Sequence, residues 1–272
     1  MTMKVPTGAW QRDWIQRHGG ALDRAITVRY VQTPSVFGDL RIPADLPGWP
    51  ELSGAASFAE LDDDQLAALA TQNGFAGVTT IDGASATWHH EIDYQPAGGG
   101  ADIGRIEPVS DGKMFEHGPD GAYVESWSVL EPDAGPYFAA RIAHGGRASQ
   151  LLAVAGGHFV HARARQVPLP PGDSLGEAIA RTHATREMII AYLDCEISYG
   201  SVRDWQIELS TLPWLQGKRL AFADRIAVDA SGQPVPRTAS VPASGPAPLD
   251  EAWSVPVNTF SPAALRALFA AR

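Results

Sequence analysis

Short runs of alternating apolar and polar residues recur along most of this chain, and they predict β-strands joined by turns. In the first half the predicted strands span residues 25–33, 35–42, 75–81, 86–95, 101–109, 113–117 and 123–130. In the second half they span residues 136–144, 150–155, 157–167, 188–199, 205–211 and 219–228. Turn dipeptides such as Asp82-Gly83 separate neighbouring runs, which is typical of antiparallel hairpins.

A few short helices interrupt the strands. Each begins with a serine that can cap a helix amino terminus, and the predicted ranges are 57–73, 174–186 and 261–271. Residues 1–20 are interpreted as an amphipathic opening segment, because Trp10, Trp14 and Ile15 fall on one side of a helix.

The two halves of the chain share an order of strands, proline-rich link, capped helix and further strands. This order predicts an all-β fold with a few short helices, built from two closed or nearly closed antiparallel β-barrels packed together. We place the first unit at residues 1–131 and the second at residues 132–272. The second unit contains a loop rich in Pro, Ala and Ser at residues 229–250.

Composition narrows the setting in which the protein works. The chain has 272 residues and a formal net charge of −10, which argues against a nucleic-acid partner. No apolar run reaches the roughly 18 residues that a membrane-spanning helix needs. The single cysteine, Cys195, permits no intramolecular disulfide, so we expect a cytoplasmic protein in which this thiol is a small buried apolar group.

The strand at residues 86–95 carries the strongest indication of a pocket. Strict alternation would place Trp88, His90, Ile92 and Tyr94 on one face, which is large, mostly apolar and contains one imidazole. A barrel lumen accepts alternate residues of each strand. Choosing the more apolar face of other strands gives further lumen candidates: Val28, Tyr30, Gln32, Tyr123, Glu125, Trp127, Trp205, Ile207 and Leu209.

Two kinds of site follow from these faces. An aromatic wall with few polar groups suits a small apolar or aromatic ligand. Its predicted contacts are Tyr30, Gln32, Trp88, Tyr94, Tyr123 and Trp127. If the protein is an enzyme, His90 and Glu125 form its predicted acid–base pair, because a carboxylate can orient an imidazole and raise its pKa.

We predict no metal site and no cofactor, since the chain has no His-x-His or CxxC pair. A haem with His90 or His158 as single axial ligand is the alternative that this spacing leaves open. Asp39 and Arg41 share a strand face and are interpreted as a structural ion pair.

Four segments give the chain a resemblance to a known family. They are residues 31–43 (VQTPSVFGDLRIP), 88–96 (WHHEIDYQP), 192–200 (YLDCEISYG) and 210–214 (STLPW). They resemble the HRI1 family of fungal and bacterial proteins, over most of residues 8–225. The resemblance implies a lipocalin-like fold with an amino-terminal and a carboxy-terminal barrel half. It implies no enzymatic activity, cofactor or catalytic residue.

Three functions are compatible with the sequence. The favoured hypothesis is a lipocalin-like protein that binds a small apolar or aromatic molecule in a barrel lumen. The second is a cofactor-free lyase, isomerase or hydrolase on the same scaffold. The third is a protein-interaction module with filled barrels, and the sequence also leaves a homodimer open.

Overall fold

A computed structural model describes residues 6–46, 52, 54–96, 98, 100–132, 135–237 and 251–270. The first sheet contains nine strands: β1 (Gly8–Arg17), β2 (Leu22–Asp23), β3 (Ile26–Gln32), β4 (Val36–Pro43), β5 (Asn73–Asp82), β6 (Ser85–Asp93), β7 (Asp102–Ser110), β8 (Lys113–His117) and β9 (Tyr123–Val129). Neighbouring strands pair in the antiparallel sense, and β1 also pairs with β9. This last pairing closes β1 and β3–β9 into an eight-stranded up-and-down barrel, a lipocalin-like architecture.

The second sheet is built from the carboxy-terminal half. Its strands are β10 (Tyr137–His144), β11 (Arg147–Ala155), β12 (His158–Arg163), β13 (Glu196–Ser201), β14 (Gln206–Ser210) and β17 (Glu251–Asn258). Their order is β14-β13-β12-β11-β10-β17, and no pairing among the described residues joins the two edge strands. A small hairpin of β15 (Ile226–Val228) and β16 (Pro234–Pro236) lies outside this sheet.

Four short α-helices complete the described fold: α1 (Asp63–Leu69), α2 (Leu175–Thr182), α3 (Arg186–Leu193) and α4 (Pro262–Leu268). Ser174 and Ser261 cap α2 and α4 as predicted, since their hydroxyl groups accept hydrogen bonds from backbone amides three residues later. At the first helix the capping box is Asp62 with Gln65, whereas Ser57 starts a separate 3-10 turn. None of the helices in the described ranges is long and apolar enough to cross a membrane.

The predicted all-β fold with a lipocalin-like barrel is confirmed, and several local predictions are wrong. Of the strand predicted at residues 219–228, only Ile226–Val228 are in a strand, and Ala221–Arg225 form a 3-10 helix. Residues 188–193 lie in α3 rather than in a strand, because Thr185 caps a helix there. Residues 8–17 form β1 rather than a helical segment. Much of the loop predicted at residues 229–250 lies outside the described residues, although β16 falls in its described part.

The outer wall of the barrel packs on one face of the second sheet. The core between them includes Val31, Val36, Leu40, Ile42, Ala139, Leu151, Ala153, Val160 and Ile197. The opposite face of the sheet is covered by α4, whose Leu265 is buried beside Phe138 and Phe159. The second sheet therefore has apolar residues on both faces, and the barrel supplies the cover for one of them.

The closest approach of β4 to the second sheet occurs at Gly38. A methyl group added at this glycine would lie 2.4 Å from Cγ1 of Val160, a distance that no van der Waals contact tolerates. The absence of a side chain at Gly38 therefore permits the two halves to pack closely.

We predict that Gly38→Ala lowers the free energy of unfolding by about 1–3 kcal/mol, the usual cost of overpacking a core. Urea unfolding followed by circular dichroism measures the difference. Gly176→Ala is the matched control, because a methyl group there meets nothing within 4 Å. Equal stability of Gly38→Ala and the wild type would show that the halves do not pack closely at β4.

Candidate functional site in the barrel lumen

The barrel interior is lined mainly by aromatic residues at alternate strand positions. The buried apolar cluster inside it consists of Trp10, Val28, Tyr30, Phe37, Phe75, Ala86, Trp88, Ile106, Met114 and Trp127. Tyr30 and Trp127 contact each other, with ring centroids 5.8 Å apart. Three of the predicted ligand contacts, Tyr30, Trp88 and Trp127, therefore belong to one lumen wall.

A β-bulge in β1 explains why its strand pattern resembles a helix. The register of β1 against β9 shifts between Arg12 and Trp14, which inserts one extra residue. Trp10 lies in the lumen cluster, whereas Trp14 packs on Phe115 outside it. The spacing of four between the two tryptophans thus comes from a bulge and a change of face.

A second bulge, in β6, changes the predicted lumen face. Gly77 pairs with His90 and Ala76 pairs with Ile92, so Glu91 is the extra residue. Only glycine fits at position 77, where a Cβ atom would lie 1.9 Å from the carbonyl oxygen of His89. Trp88 stays in the lumen, whereas Ile92 and Tyr94 join the core between the halves.

The predicted placement of Tyr94 in the lumen is therefore wrong. Its hydroxyl group donates a 2.9 Å hydrogen bond to the carbonyl oxygen of Leu69, at the end of α1. The extra residue itself, Glu91, accepts two hydrogen bonds from Arg141 of the second sheet. Because of this bulge, Ile92 and Tyr94, which were predicted to face the lumen, instead make contacts that join the two halves.

A chain of hydrogen bonds crosses the aromatic wall. Nε1 of Trp88 donates to the hydroxyl group of Tyr30 at 2.9 Å, and Tyr30 donates to Oε1 of Gln32. Thr79 donates to the same Oε1 at 2.8 Å. Burial raises the pKa of Tyr30, so this phenol stays protonated. The predicted wall residues Tyr30, Gln32 and Trp88 are thus held in one orientation by each other.

Five ionisable residues form what we call the lumen charge cluster: Arg12, Asp39, Arg41, Glu116 and Glu125. Arg12 forms an ion pair with Glu125, and both side chains are almost fully buried. Arg41 donates from Nε and an amino group to the two carboxylate oxygens of Asp39, at 2.8 and 3.1 Å. The predicted ion pair of Asp39 and Arg41 is confirmed, and it belongs to the barrel interior.

Glu116 and Glu125 face each other across adjacent strands. They are direct partners in the β8–β9 ladder, where side chains on one face lie about 5 Å apart at Cβ. Burial, and then the negative charge of Glu125, raise the pKa of Glu116 well above its ordinary value, while Arg41 acts in the opposite direction. The hydroxyl group of Tyr123 donates to Oε1 of Glu116 at 2.9 Å. The two carboxyl groups therefore differ in environment, one ion-paired and one favoured in its protonated form.

His90 lies at one end of the barrel and does not pair with Glu125. Its Nδ1 is 2.6 Å from Oδ1 of Asp93, and its Nε2 is 3.1 Å from Oδ2 of Asp102. Its ring stacks on Phe75 with centroids 4.1 Å apart. Burial lowers the pKa of His90, but the hydrogen bonds to Asp102 and Asp93 outweigh this and raise the pKa to about 9. An imidazole that is charged at neutral pH and lies between two carboxylates is a poor general base there.

A small cavity adjoins the charge cluster. The centre of a water molecule could occupy about 20 Å³ of this cavity, so the cavity has room for little more than one water molecule. Its lining includes Pro6, Tyr30, Asp39, Arg41, Phe75, Trp88, Asp102, Met114, Glu116 and Trp127. A cavity of this size does not accommodate an aromatic ligand.

Two buried polar atoms of β9 have no hydrogen-bond partner among the residues that the structure describes. They are Oε2 of Glu125, an acceptor, and Nε1 of Trp127, a donor. The two residues are separated by one position, so both side chains point into the lumen. A buried polar atom without a partner costs about 1–3 kcal/mol, which a bound molecule of the right polarity recovers.

The prediction from the sequence did not include Arg12 and Glu116 as site residues, for different reasons. The bulge in β1 hid the alternation that places Arg12 inside the barrel. Glu116 was accessible to sequence reasoning, because the hairpin of β8 and β9 pairs it with Glu125. Of the other predicted residues, Tyr123 and Glu125 reach the charge cluster. Within the described ranges, no three His, Cys, Asp or Glu residues are grouped to hold a metal ion.

Comparisons with known proteins support the fold. No protein-family model matches this chain, and no curated protein matches its sequence. An uncharacterized protein from Saccharomyces cerevisiae is similar in structure, with a TM-score of 0.50 and 12% identity, over 92% of this chain and 98% of that one. A lipocalin-like protein from Bacteroides uniformis is similar over 46% of this chain and 97% of its own, with 13% identity and a TM-score of 0.31.

We predict that Arg12→Gln lowers the free energy of unfolding by about 3–5 kcal/mol at pH 7, because it leaves the buried carboxylate of Glu125 without its ion pair. Chemical unfolding measures the loss. The double variant Arg12→Gln/Glu125→Gln should recover most of it. Arg17→Gln, which removes an exposed ion pair with Asp23, is the control and should change stability by less than about 1 kcal/mol. A loss no larger in Arg12→Gln than in this control would contradict the pairing.

We also predict that His90→Gln destabilises the protein more at pH 6 than at pH 10. The folded-state pKa of about 9 exceeds the ordinary value of 6.5, so the imidazolium stabilises the fold fully below pH 6.5. That contribution is lost as the pH rises through about 9. Urea unfolding at both pH values gives the two differences, and His89→Gln removes an imidazole from the other face of the strand as a control. An equal loss of stability in His90→Gln at both pH values would contradict the raised pKa of His90.

Proposed function

We propose that the amino-terminal barrel binds a small polar molecule in its lumen, next to the charge cluster. The observation that carries this proposal is the pair of unsatisfied buried atoms on β9, Oε2 of Glu125 and Nε1 of Trp127. A ligand that satisfies both offers one hydrogen-bond donor and one acceptor. The binding head is about as large as a water molecule, since the cavity has room for no more.

This proposal changes the class of ligand expected from the sequence. The aromatic wall exists, but Tyr30, Gln32 and Trp88 already satisfy one another's polar groups. The unsatisfied groups belong to the charged side of the lumen instead. The ligand is therefore a small amphipathic molecule whose polar head matters more than its apolar body. We also propose that the protein is cytoplasmic and that it is related to the HRI1 family.

A second candidate function is acid–base catalysis by the opposed glutamates. One observation favours it: of two carboxyl groups in direct register, Glu125 is paired with Arg12 and Glu116 has a raised pKa, and enzymes that need an acid and a base use such unlike pairs. In this scheme Glu116 is the acid and Glu125 the base, and His90 has no part in proton transfer. Turnover of a bound ligand that Glu116→Gln and Glu125→Gln each abolish would distinguish catalysis from binding alone.

We expect small polar compounds to shift the indole N–H signal of Trp127 in a ¹⁵N–¹H NMR titration of the full chain. Trp127→Phe removes the donor, part of the ring and the reporter signal, so binding to this variant is followed by the backbone amide signals of the barrel; it should weaken about tenfold, the value of one hydrogen bond of about 1.4 kcal/mol. Trp14→Phe is the matched control, because Trp14 packs outside the barrel against Phe115.

Two outcomes would contradict the proposal. Either no compound in a panel of amines, alcohols, amides and carboxylates shifts the Trp127 signal, or Trp127→Phe binds as tightly as Trp14→Phe. In the first case the barrel is a filled scaffold, and the interaction-module hypothesis replaces the binding hypothesis.

A further inference from the structure

We propose that the lumen ligand carries a protonated primary amine, which binds against the opposed carboxyl groups of Glu116 and Glu125. This inference rests on the proposed function, since it names the chemical class of the molecule that the barrel binds. Three features of the lumen support it: the balance of charge, the geometry of the free acceptor, and the size and composition of the cavity wall.

The charges of the cluster are balanced except at one residue. Arg12 pairs with Glu125, and Arg41 pairs with Asp39 through two hydrogen bonds. Glu116 has no cation of its own, and its hydrogen-bond partner is the neutral phenol of Tyr123. An ionised Glu116 therefore leaves one unbalanced negative charge in a closed, water-poor space. A monovalent cation restores the balance.

The free acceptor belongs to Glu125, the ladder partner of Glu116, and Glu116 lines the cavity. Oε2 of Glu125 is buried and has no donor, while the other oxygen of that carboxylate is used by Arg12. Glu116 lies directly opposite Glu125 in the ladder. An ammonium group has three N–H donors, which is enough to serve the free oxygen of Glu125 and the carboxylate of Glu116 together.

Size and wall composition favour an amine over larger cations. An ammonium head is about as large as a water molecule, which matches the cavity. The cavity is lined by the aromatic rings of Trp88 and Trp127, and the faces of such rings attract cations. Nε1 of Trp127 still needs an acceptor, and a hydroxyl group on the same ligand supplies one. A short amino alcohol carries both groups, and because the cavity has room for the ammonium head alone, side chains around it must move to admit the rest of the molecule.

The proposal has a consequence for pH. Glu116 faces Glu125 and Tyr123 of β9, Arg41 of β4 and Asp102 of β7. Burial and the charge of Glu125 favour the protonated form of Glu116, so an incoming ammonium group must displace that proton. Affinity should therefore rise with pH, by up to tenfold per pH unit, until Glu116 is ionised without the ligand.

The test is an NMR titration of the full chain with ethanolamine at pH 6, 7 and 8, following the Trp127 indole signal. Ethylene glycol is the matched neutral probe, because it carries a hydroxyl group in place of the ammonium group. Acetate and potassium chloride complete the panel. We expect ethanolamine to bind at least tenfold more tightly than any of them at pH 8, and its affinity to fall as the pH is lowered.

The Glu116→Gln variant tests the role of this residue, because glutamine resembles the protonated glutamate in shape. It should weaken ethanolamine binding at least tenfold at pH 8, remove the pH dependence and leave ethylene glycol binding unchanged. Glu107→Gln, on the exposed face of β7, is the control and should bind like the wild type.

Binding of ethylene glycol, acetate or potassium as tightly as ethanolamine would overturn the amine proposal and leave the lumen-binding function standing. So would an ethanolamine affinity that does not change with pH in the wild type. The absence of any shift at Trp127 with every compound tested would overturn both proposals.

Discussion

Closure of the barrel by β1 and β9 is the constraint on which the rest of the structure depends. It removes both edges of the first sheet and separates each strand into an inner and an outer face. Trp10 and Arg12 are two positions apart and point inward together, and the bulge after Arg12 places Trp14 on the outer face. Closure thus brings an arginine into the lumen and places it on Glu125. Without that ion pair, the carboxylate of Glu125 would either lie in water or be buried without a positive charge beside it.

The lumen illustrates how burial determines protonation. In water each carboxyl group of the cluster would be ionised at neutral pH. Inside the barrel, only those carboxylates that have an arginine partner, Asp39 and Glu125, are compensated. Glu116 lacks such a partner, and its pKa is raised by burial and by Glu125. At the end of the barrel, burial alone would lower the pKa of His90. Two aspartates outweigh this effect and raise that pKa to about 9. The imidazole that a sequence reader would choose as a base is thus held as a cation.

Alternation and turn residues were enough to predict most strands of the barrel, including β8 at its observed bounds, and the caps of α2 and α4. The errors arose where one extra residue breaks the alternation. In β1 the bulge gave two tryptophans a helical spacing, and in β6 it moved Ile92 and Tyr94 to the outer wall. A bulge depends on the partner strand, so one strand's pattern does not contain it. Gly77 is a local sign of the bulge in β6. It can be interpreted in this way only when the register of β5 against β6 is known.

The second sheet matters to the site although it contributes no residue to the lumen. Leu40 and Ile42 of β4 face this sheet and belong to the core between the halves, while Phe37, Asp39 and Arg41 face inward. Because one strand carries both sets, packing on the outside fixes the position of the ion pair on the inside. Gly38 brings the strand within contact of Val160, so β4 has little freedom to shift. The ion pair of Asp39 and Arg41 is therefore held in place by packing on the outer side of the barrel wall, which explains how a small barrel can keep several ionisable groups in a fixed arrangement.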